Sequence, residues 1–421
     1  MPMDTQHPGE PEAPISIGAG SGSAGDISPP FAAAYAAPLI PLRRSLRRHV
    51  KALSTGPRRR VEQLLGECLV KVNGNEPCDI RVLNDDFYAR VLADGSLGLG
   101  ESYMDGWWTV QDLDGLIYRL LMARLDERIW TWGDVAAYCS AVLFNLQRRS
   151  RAFQVGQRHY DIGNDLYELM LDRRMIYSCG YWHMATTLDA AQEAKLELVF
   201  RKLGLQLGQR VLDVGCGWGG ALKLAAERYA VSGVGITVSR EQAAYARKTC
   251  ENLPITIQLQ DYRDLKEGQF DHIYSIGMFE HVGAKNYRTY MQTLRRVLRP
   301  DGRFLLHTIG SMQSTNRTDP WLEKYIFPNS MLPSQRQIIE AIDGLFVVEG
   351  WQRLGRYYDR TLLAWRANFE RHWPQLRTSR DARFFRMWRF YLSASAASFR
   401  AGKNDVWQVL LTPVSSAGGN S

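Results

Sequence analysis

The sequence predicts an α/β protein with a Rossmann-like, doubly wound sheet of mostly parallel strands, preceded by a small α+β domain. A buried apolar strand, a glycine turn and a helix start follow one another within Arg210–Ala225, "RVLDVGCGWGGALKLA". Strand and helix patterns then alternate along the chain, which is typical of parallel sheets. Upstream, short strands and helices with glycine turns indicate a separate, smaller domain.

The glycine turn predicts a ligand site. Val211, Leu212 and Val214 form a short apolar run suited to a strand buried on both faces. Gly215 and Gly217 let the backbone turn sharply against a ligand, and the helix from about Gly220 directs its positive end towards it. The spacing fits a dinucleotide, a phosphate or S-adenosylmethionine, and a purely structural turn is the alternative. With Asp213 ahead of the glycines, the pattern resembles the first motif of Rossmann-like S-adenosylmethionine methyltransferases.

The remaining elements of the α/β domain follow from the spacing of apolar residues. Further strands are predicted near residues 233–237, 256–259, 271–276 and 304–308. Helices are predicted near residues 188–203, 241–251 and 287–298. Two later segments, "LFVVEGWQRLG" and "TLLAWRANF", fit either two more strands or a strand and a helix. Two additional strands would complete a seven-stranded methyltransferase sheet.

Composition sets the limits of the predicted regions. Residues 1–41 are rich in Pro, Gly, Ala and Ser and are predicted to be a disordered tail. We assign residues 42–148 to the small N-terminal domain, in which "CLVKVNG" and "CDIRVLN" alternate as strands. The α/β domain then covers residues 149–410, and residues 411–421 are predicted to be a flexible C-terminus.

The net charge of +8 comes from one segment. Residues 43–60 contain eight basic residues and no acidic ones, which leaves 44 residues of each sign elsewhere. Apolar residues recur at helical spacing from Leu42 to Leu53, so this segment resembles a basic amphipathic helix on an anionic membrane surface. A solvated helix face and a nucleic-acid patch remain equally open.

The composition favours a cytoplasmic protein. The sequence contains no run of eighteen apolar residues, so no transmembrane helix is predicted. The apolar run Phe31–Ile40 is short and follows an acid-containing segment, so a secretory signal is not expected. The cysteines contain no CxxC pair and are predicted to be reduced thiols, with neither a metal site nor disulfides. They are Cys68, Cys78, Cys139, Cys179, Cys216 and Cys250.

Ligands of open α/β sheets bind at the carboxyl ends of the strands, where this sequence places several polar residues. The second strand ends at Thr237, with Gln242 beyond it, where a dinucleotide site usually has an acid. This difference counts against a dinucleotide. Asp261 and Tyr262 follow the third strand and could bind an adenine amine and stack on its ring. A plain helix cap is the alternative for Asp261.

The next two strand ends carry groups that transfer protons. Glu280 and His281 follow the fourth strand in "YSIGMFEHVG", and His307 ends the fifth in "LLHTIG". A carboxylate and an imidazole beside a methyl donor indicate acid–base chemistry. A structural role would be the better interpretation for either alone, but two adjacent strand ends favour function.

Seven ordered motifs from about Gly98 to Trp365 together resemble the cyclopropane-fatty-acyl-phospholipid synthase family. They are "GLGESYMDGWW", "HYDIGNDLYELMLD", "MIYSCGYW", "LDVGCGWGG", "SIGMFEHVG", "KYIFPNSMLPS" and "YYDRTLLAW". The resemblance implies a class I methyltransferase fold and methyl transfer from S-adenosylmethionine to a cis double bond of a phospholipid acyl chain. Deprotonation of the resulting carbocation would close a cyclopropane ring. Related enzymes that give methyl-branched lipids share several motifs.

The resemblance also implies two sets of site residues. In the family a bound bicarbonate ion is the base, and the residues matching its site are Cys179, Glu280, His307, Ile309 and Tyr358. Glu280 would accept the bicarbonate proton, His307 and Tyr358 would donate to its oxygens, and Cys179 and Ile309 would act through backbone amides. The residues expected to bind S-adenosylmethionine are Tyr177, Ser178, Asp213, Gly215, Gly217, Thr237, Gln242, Asp261 and Tyr262.

The partners follow from the same resemblance. We expect unsaturated phospholipid at the inner membrane surface, peripheral association with that surface, and a homodimer, with the N-terminal domain assisting docking. A nucleic-acid-binding protein that uses residues 43–60 is the alternative from another class. The basic segment lacks interleaved stacking aromatics, which counts against a nucleic-acid partner.

Overall fold

The computed structural model describes residues 55–125, 163–266, 268–312, 314 and 318–414. These residues belong to one compact unit. The predicted tail at residues 1–41, the basic amphipathic helix at residues 42–53, and Cys139 lie outside the described residues.

A seven-stranded sheet forms the centre of the protein, in the order β5-β4-β3-β6-β7-β9-β8. Five strands, β5, β4, β3, β6 and β7, are parallel to one another. Strand β9 is antiparallel to both of its neighbours, β7 and β8. The predicted Rossmann-like fold is therefore confirmed. The strands are β3 (Arg210–Val214), β4 (Ser232–Thr237), β5 (Ile255–Leu259), β6 (Phe270–Ile276), β7 (Leu298–Ser311), β8 (Phe346–Arg353) and β9 (Asn404–Pro413).

Helices cover both faces of the sheet, and each face has its own apolar core. Leu212 of β3 packs on the face covered by α8 and α10, whereas Val211 packs on the face covered by α5, α6 and α7. This alternation explains why the strand is apolar at consecutive positions. The helices are α5 (Leu188–Leu203), α6 (Gly220–Tyr229), α7 (Arg240–Thr249), α8 (Tyr287–Val297), α9 (Pro320–Tyr325) and α10 (Gln335–Ile342).

The C-terminal part of the chain decides one open prediction and corrects another. Of the two interpretations left open for "LFVVEGWQRLG" and "TLLAWRANF", a strand followed by a helix is confirmed. "TLLAWRANF" is helical and lies within α11 (Tyr358–Leu376), which is followed by α12 (Ala382–Arg400). The seventh strand is instead β9, which inserts between β7 and β8 and continues to Pro413. A flexible terminus from residue 411 is therefore wrong for residues 411–413. Leu411 is fully buried opposite Phe304, because a central strand contacts apolar side chains on both faces.

The described N-terminal residues do not form a separate domain. Their helices pack on α11 and α12 within one shared apolar core, with the Tyr103 ring 5.7 Å from that of Phe390. Asp114 accepts hydrogen bonds from Arg366 and Arg400 across the same boundary. The two predicted strands reduce to a Val72–Ile80 bridge and a two-residue strand. The elements are α1 (Thr55–Glu67), β1 (Arg81–Val82), α2 (Asp86–Met104), β2 (Trp108–Thr109), α3 (Leu113–Met122) and, after the gap, α4 (Asn164–Met170).

Candidate active site

A cavity opens at the carboxyl ends of β3, β4, β5 and β6, where ligands of α/β sheets bind. All nine residues predicted to hold S-adenosylmethionine line this cavity, which we call the cofactor cavity. They are Tyr177, Ser178, Asp213, Gly215, Gly217, Thr237, Gln242, Asp261 and Tyr262. The structure thus brings together residues that are up to 85 positions apart in the chain.

The glycine turn at the end of β3 leaves no room for side chains at two positions. Gly215 has φ +88°, and a Cβ atom there would lie 2.7 Å from the Cβ of Met278. A Cβ on Gly220 would lie 2.0 Å from the carbonyl oxygen of Arg174. The amides of Gly215 and Cys216 both donate to the Ile236 carbonyl at 3.0 Å, which fixes the turn against β4. Glycine is therefore required here by the approach of neighbouring chain segments.

The polar residues of the cavity are already held in place by the protein. Thr237 donates to the side-chain oxygen of Gln242 at 2.9 Å, and both side chains are buried. Asp261 accepts from the backbone amide of Arg263 at 2.9 Å and forms an ion pair with its guanidinium at 3.0 Å. Asp261 therefore caps a short turn, as the alternative interpretation expected, and also faces the cavity. Its contact with adenine stays a prediction.

Lys195 of α5 is a residue of the cofactor cavity that the motifs did not reveal. Its side chain is fully buried and donates to the Ser178 hydroxyl at 2.8 Å. Gln192, one turn earlier, donates to the Ser178 carbonyl at 2.7 Å. Burial lowers the pKa of Lys195 to about 8 and raises that of Asp213 to about 7. The sequence signal was two polar residues on the apolar face of an amphipathic helix.

The five residues predicted as catalytic lie next to this cavity. We call them the Glu280 pocket: Cys179, Glu280, His307, Ile309 and Tyr358. These five described residues do not line the cofactor cavity, but their chain neighbours Ser178 and His281 do.

A continuous set of contacts connects three members of the Glu280 pocket. The Cys179 thiol lies 3.8 Å from the Leu354 carbonyl, and the Leu354 amide donates to the Val406 carbonyl at 2.7 Å. Val406 of β9 is opposite Ile309 of β7, whose amide donates to Glu280 Oε1 at 2.6 Å. Two antiparallel strands therefore position groups from distant parts of the sequence.

Glu280 is buried, with one oxygen fixed and the other unpaired. Oε1 accepts from Ile309, whereas Oε2 has no hydrogen-bond partner among the described residues. Burial raises the pKa of Glu280 to about 7. The Ile309 amide donates to Glu280 in this structure, and its predicted contact with bicarbonate stays a prediction. Through this contact Ile309 orients the carboxylate.

Two further members of the Glu280 pocket, His307 and Cys179, are buried and uncharged. His307 Nδ1 lies 3.2 Å from the amide nitrogen of Gln408, whose oxygen accepts from Lys202 at 2.6 Å. Burial, together with the nearby lysines, holds the pKa of His307 well below its usual value. Burial raises the pKa of the Cys179 thiol. His307 is therefore a neutral imidazole and Cys179 a protonated thiol near neutral pH.

Comparison with known proteins identifies the family. The family model described as "Mycolic acid cyclopropane synthetase" matches residues 147–409. The chain belongs to this family. It is an S-adenosylmethionine-dependent methyltransferase, and the resemblance inferred from the motifs is confirmed.

Individual relatives agree with this assignment. The chain is 50% identical over 351 residues to the cyclopropane-fatty-acyl-phospholipid synthase of Escherichia coli (strain K12), covering 83% of this chain and 92% of the relative. The cyclopropane synthase MmaA2 from Mycobacterium tuberculosis matches with 31% identity and a TM-score of 0.59, covering 64% of this chain and 99% of that one. Mycolic acid cyclopropane synthase CmaA1, complexed with SAH and CTAB, matches with 34% identity and a TM-score of 0.58. The match covers 62% of this chain and 97% of that one.

Beside the two sites of this methyltransferase lies a group of aromatic rings that are buried or partly buried. The Tyr177 ring lies 5.0 Å from that of Trp365, which lies 5.8 Å from that of Tyr358. The Tyr177 hydroxyl forms a 2.7 Å hydrogen bond with that of Tyr391 on α12. Because Tyr177 also lines the cofactor cavity and Tyr358 belongs to the Glu280 pocket, these rings connect the two.

No helix among the described residues is long and apolar enough to cross a membrane.

Proposed function

We propose that this methyltransferase transfers a methyl group from S-adenosylmethionine to the cis double bond of an unsaturated phospholipid acyl chain and closes a cyclopropane ring. The observation that carries this proposal is the buried Glu280 carboxylate, with one oxygen held and one unpaired, beside the cofactor cavity. The name of the relative from Escherichia coli supports the phospholipid substrate.

The cofactor cavity fits the proposed methyl donor. The glycine turn permits close approach of a ligand, and Thr237, Gln242 and Asp261 offer polar atoms around it. S-adenosylmethionine bound there supplies an electrophilic methyl group on a sulfonium. The Lys195–Ser178 hydrogen bond holds the chain segment that leads from this cavity to Cys179.

The aromatic rings suit a reaction that places positive charge on a hydrocarbon. Attack by an alkene leaves a carbocation that water would capture, so the site must be dry. Tyr177, Trp365 and Tyr358 exclude water, and their ring faces attract positive charge. These side chains therefore protect the cation until a proton is removed.

The Glu280 pocket fits the proposed base. The unpaired Glu280 Oε2 and the neutral His307 and Tyr358 side chains would hold a bicarbonate ion, which would supply a weak, exchangeable base. Glu280 is ionised above pH 7 and can accept a proton at Oε2. The Ile309 amide keeps Oε1 oriented in both protonation states.

Product analysis tests this function. Purified protein, S-adenosylmethionine and vesicles of a mono-unsaturated phospholipid should give a lipid heavier by one methylene group, without the double bond. Ring protons in the NMR spectrum of the product identify the cyclopropane. A methyl-branched or still unsaturated product would reject ring closure and leave a related lipid methyltransferase as the function.

We also propose that the enzyme works as a peripheral protein on the cytoplasmic face of the inner membrane, as a homodimer and without a nucleic-acid partner. A phospholipid substrate requires access to a bilayer, and the basic segment at residues 43–60 suits an anionic surface. Co-sedimentation with anionic vesicles, compared with RNA retention at physiological salt, tests the choice of partner. Retention of RNA without vesicle binding would reject it.

A further inference from the structure

We propose that an exposed surface beside the Glu280 pocket docks the catalytic domain onto anionic phospholipid. We call it the arginine–aromatic patch: Tyr181, His183, Met184, Arg356, Tyr357 and Arg360. The inference rests on the proposed lipid function, and it assigns membrane contact to a surface beside the Glu280 pocket in addition to the basic segment at residues 43–60.

The patch is held together by ring contacts between two chain segments. The Tyr181 ring stacks on His183 at 5.8 Å and meets the Tyr357 ring edge-on at 5.3 Å. Arg356 covers the Tyr357 ring at 4.8 Å and donates to its hydroxyl at 2.8 Å. These contacts bring the loop after Cys179 against the turn before α11.

The patch carries positive charge that no acid in the described part of the chain neutralises. Arg356 and Arg360 are exposed, and neither forms an ion pair with any described residue. Arg360 stacks on the buried Trp182 ring at 4.3 Å. The adjacent acid, Asp359, is paired with Arg400 at 3.0 Å, so its charge is balanced by an arginine outside the patch. Two arginines are thus available for lipid phosphates, which guanidinium groups bind through paired hydrogen bonds.

The patch also exposes apolar surface. Met184 is 85% exposed in the loop after Trp182, more than any other large hydrophobic side chain among the described residues. Tyr181 and Tyr357 are half-buried and present a ring together with a hydroxyl. Basic, aromatic and apolar groups on one surface match the layered chemistry of a membrane interface. A nucleic acid would not favour an exposed methionine beside the charges.

The position of the patch provides the second argument for lipid. Thr361 Oγ1 accepts from the Gly180 amide at 3.1 Å and from Trp182 Nε1 at 2.8 Å, which ties the patch to the segment containing Cys179. Tyr357 directly precedes Tyr358 in the chain. An acyl chain leaving a bilayer at this surface would therefore be next to the Glu280 pocket.

Vesicle binding by the full-length protein tests the inference. The double variant Arg356→Gln/Arg360→Gln should bind vesicles of equal parts phosphatidylglycerol and phosphatidylcholine about 30-fold more weakly, roughly 2 kcal/mol for two basic residues. The control Arg201→Gln/Lys248→Gln removes the same charge from exposed positions on α5 and α7 and should change binding by less than about threefold. Met184→Gln should weaken binding to these vesicles and to pure phosphatidylcholine alike, by roughly fivefold.

Four outcomes would overturn the inference. The double variant could bind like the wild type, or the control could lose as much affinity as the double variant. The double variant could convert a dimer into a monomer in analytical ultracentrifugation, which would make the patch a contact between copies of the chain. Wild-type protein could retain RNA through Arg356 and Arg360 instead of binding vesicles.

The proposed function is tested separately with detergent-dispersed unsaturated phospholipid, which needs no bilayer docking. Ring product from the wild type in detergent supports the function whatever the vesicle assay shows. Failure to form product in both detergent and vesicles rejects the function. The role of the patch is still decided by comparing vesicle binding of the double variant with that of the wild type. Binding of S-adenosylmethionine by the double variant, measured by calorimetry, should equal that of the wild type and confirms correct folding.

Discussion

The cofactor cavity and the Glu280 pocket lie side by side but are built in different ways. The cavity is formed at the ends of four neighbouring parallel strands, and its shape depends on a backbone turn at Gly215 and Gly217. The Glu280 pocket depends on side chains from segments between Cys179 and Tyr358, aligned by β7 and the antiparallel β9. The shape of the backbone therefore defines the first site, whereas contacts among buried side chains define the second.

This difference predicts which property each substitution changes. A change in the glycine turn should alter cofactor affinity, because it changes the space available to a ligand. A change at Glu280 should alter turnover, because it removes a proton acceptor without filling the cavity. The two sites should therefore be separable by experiment, and the following measurements test that separation in order of expected effect.

Glu280→Gln should separate the two sites most clearly. The amide oxygen can still accept from Ile309, but the group can no longer take up a proton. We expect turnover to fall by about 10²- to 10⁴-fold, or about 3–5 kcal/mol, with cofactor affinity within about twofold of the wild type. Product formation and calorimetry measure the two effects. Glu349→Gln, at an exposed position on β8, is the control. Equal loss of affinity and turnover would place Glu280 in the cofactor cavity instead.

Gly215→Ala tests the backbone side of the comparison. The new methyl group would lie 2.7 Å from Met278 Cβ at a φ of +88°, so cofactor affinity should fall by about 30- to 100-fold, about 2–3 kcal/mol. Gly217→Ala is a matched control, since φ is +53° but no heavy atom lies within 4 Å of its Cβ position. It should lose only about 1 kcal/mol. Similar losses in both variants would rule out the contact with Met278 as the cause.

The pH dependence of turnover sharpens the role of Glu280. Burial raises the pKa of this carboxyl to about 7, and only its ionised form can accept a proton. Turnover at saturating cofactor should therefore fall about tenfold per pH unit below pH 7 and become level above it, about 1.4 kcal/mol per unit.

The control for this profile is Asp213→Asn, because burial also raises the pKa of Asp213 to about 7. If Glu280 controls turnover, this variant keeps the same rise with pH. A profile that becomes flat in Asp213→Asn would assign the pH dependence to the cofactor cavity.

Tyr391→Phe tests the hydrogen bond that holds Tyr177, and it should have the smallest effect of these substitutions. It removes the hydrogen bond to the Tyr177 hydroxyl and should lower the free energy of unfolding by about 1 kcal/mol. Tyr177→Phe should cost a similar amount, and the double variant little more than either alone, because both changes remove the same bond. Urea denaturation measures all three. Additive losses in the free energy of unfolding would show that the hydrogen bond between the two hydroxyls does not contribute to stability.

The sequence predicted the parallel half of the fold well and the antiparallel half poorly. The helix predicted at residues 188–203 has those bounds in the structure, and the strands β3 to β6 lie within one residue of their predicted positions. Strand β9 was missed, and "TLLAWRANF" was left open between strand and helix. Strands β3, β4 and β5 alternate with helices α6 and α7 at regular spacing, whereas β9 follows two long helices and pairs with strands far away in the chain.

The candidate site shows the same contrast. Motifs were sufficient to select nine residues that converge on one cavity, because parallel strands end at the same edge of a sheet. They did not reveal that Lys195 is buried beneath Ser178, or that the Ile309 amide is already bonded to Glu280. Both are contacts between separate elements.

The sequence by itself therefore determined the order of the strands along the chain, the glycine turn, and the identity of the groups available for binding and proton transfer. These properties depend on local patterns of apolar, glycine and polar residues. Only the tertiary structure decided which carboxylate oxygen is held and which is unpaired, and which helix shares a core with the N-terminal residues. Those outcomes depend on burial and on hydrogen bonds between distant segments, which exist only once the chain has folded.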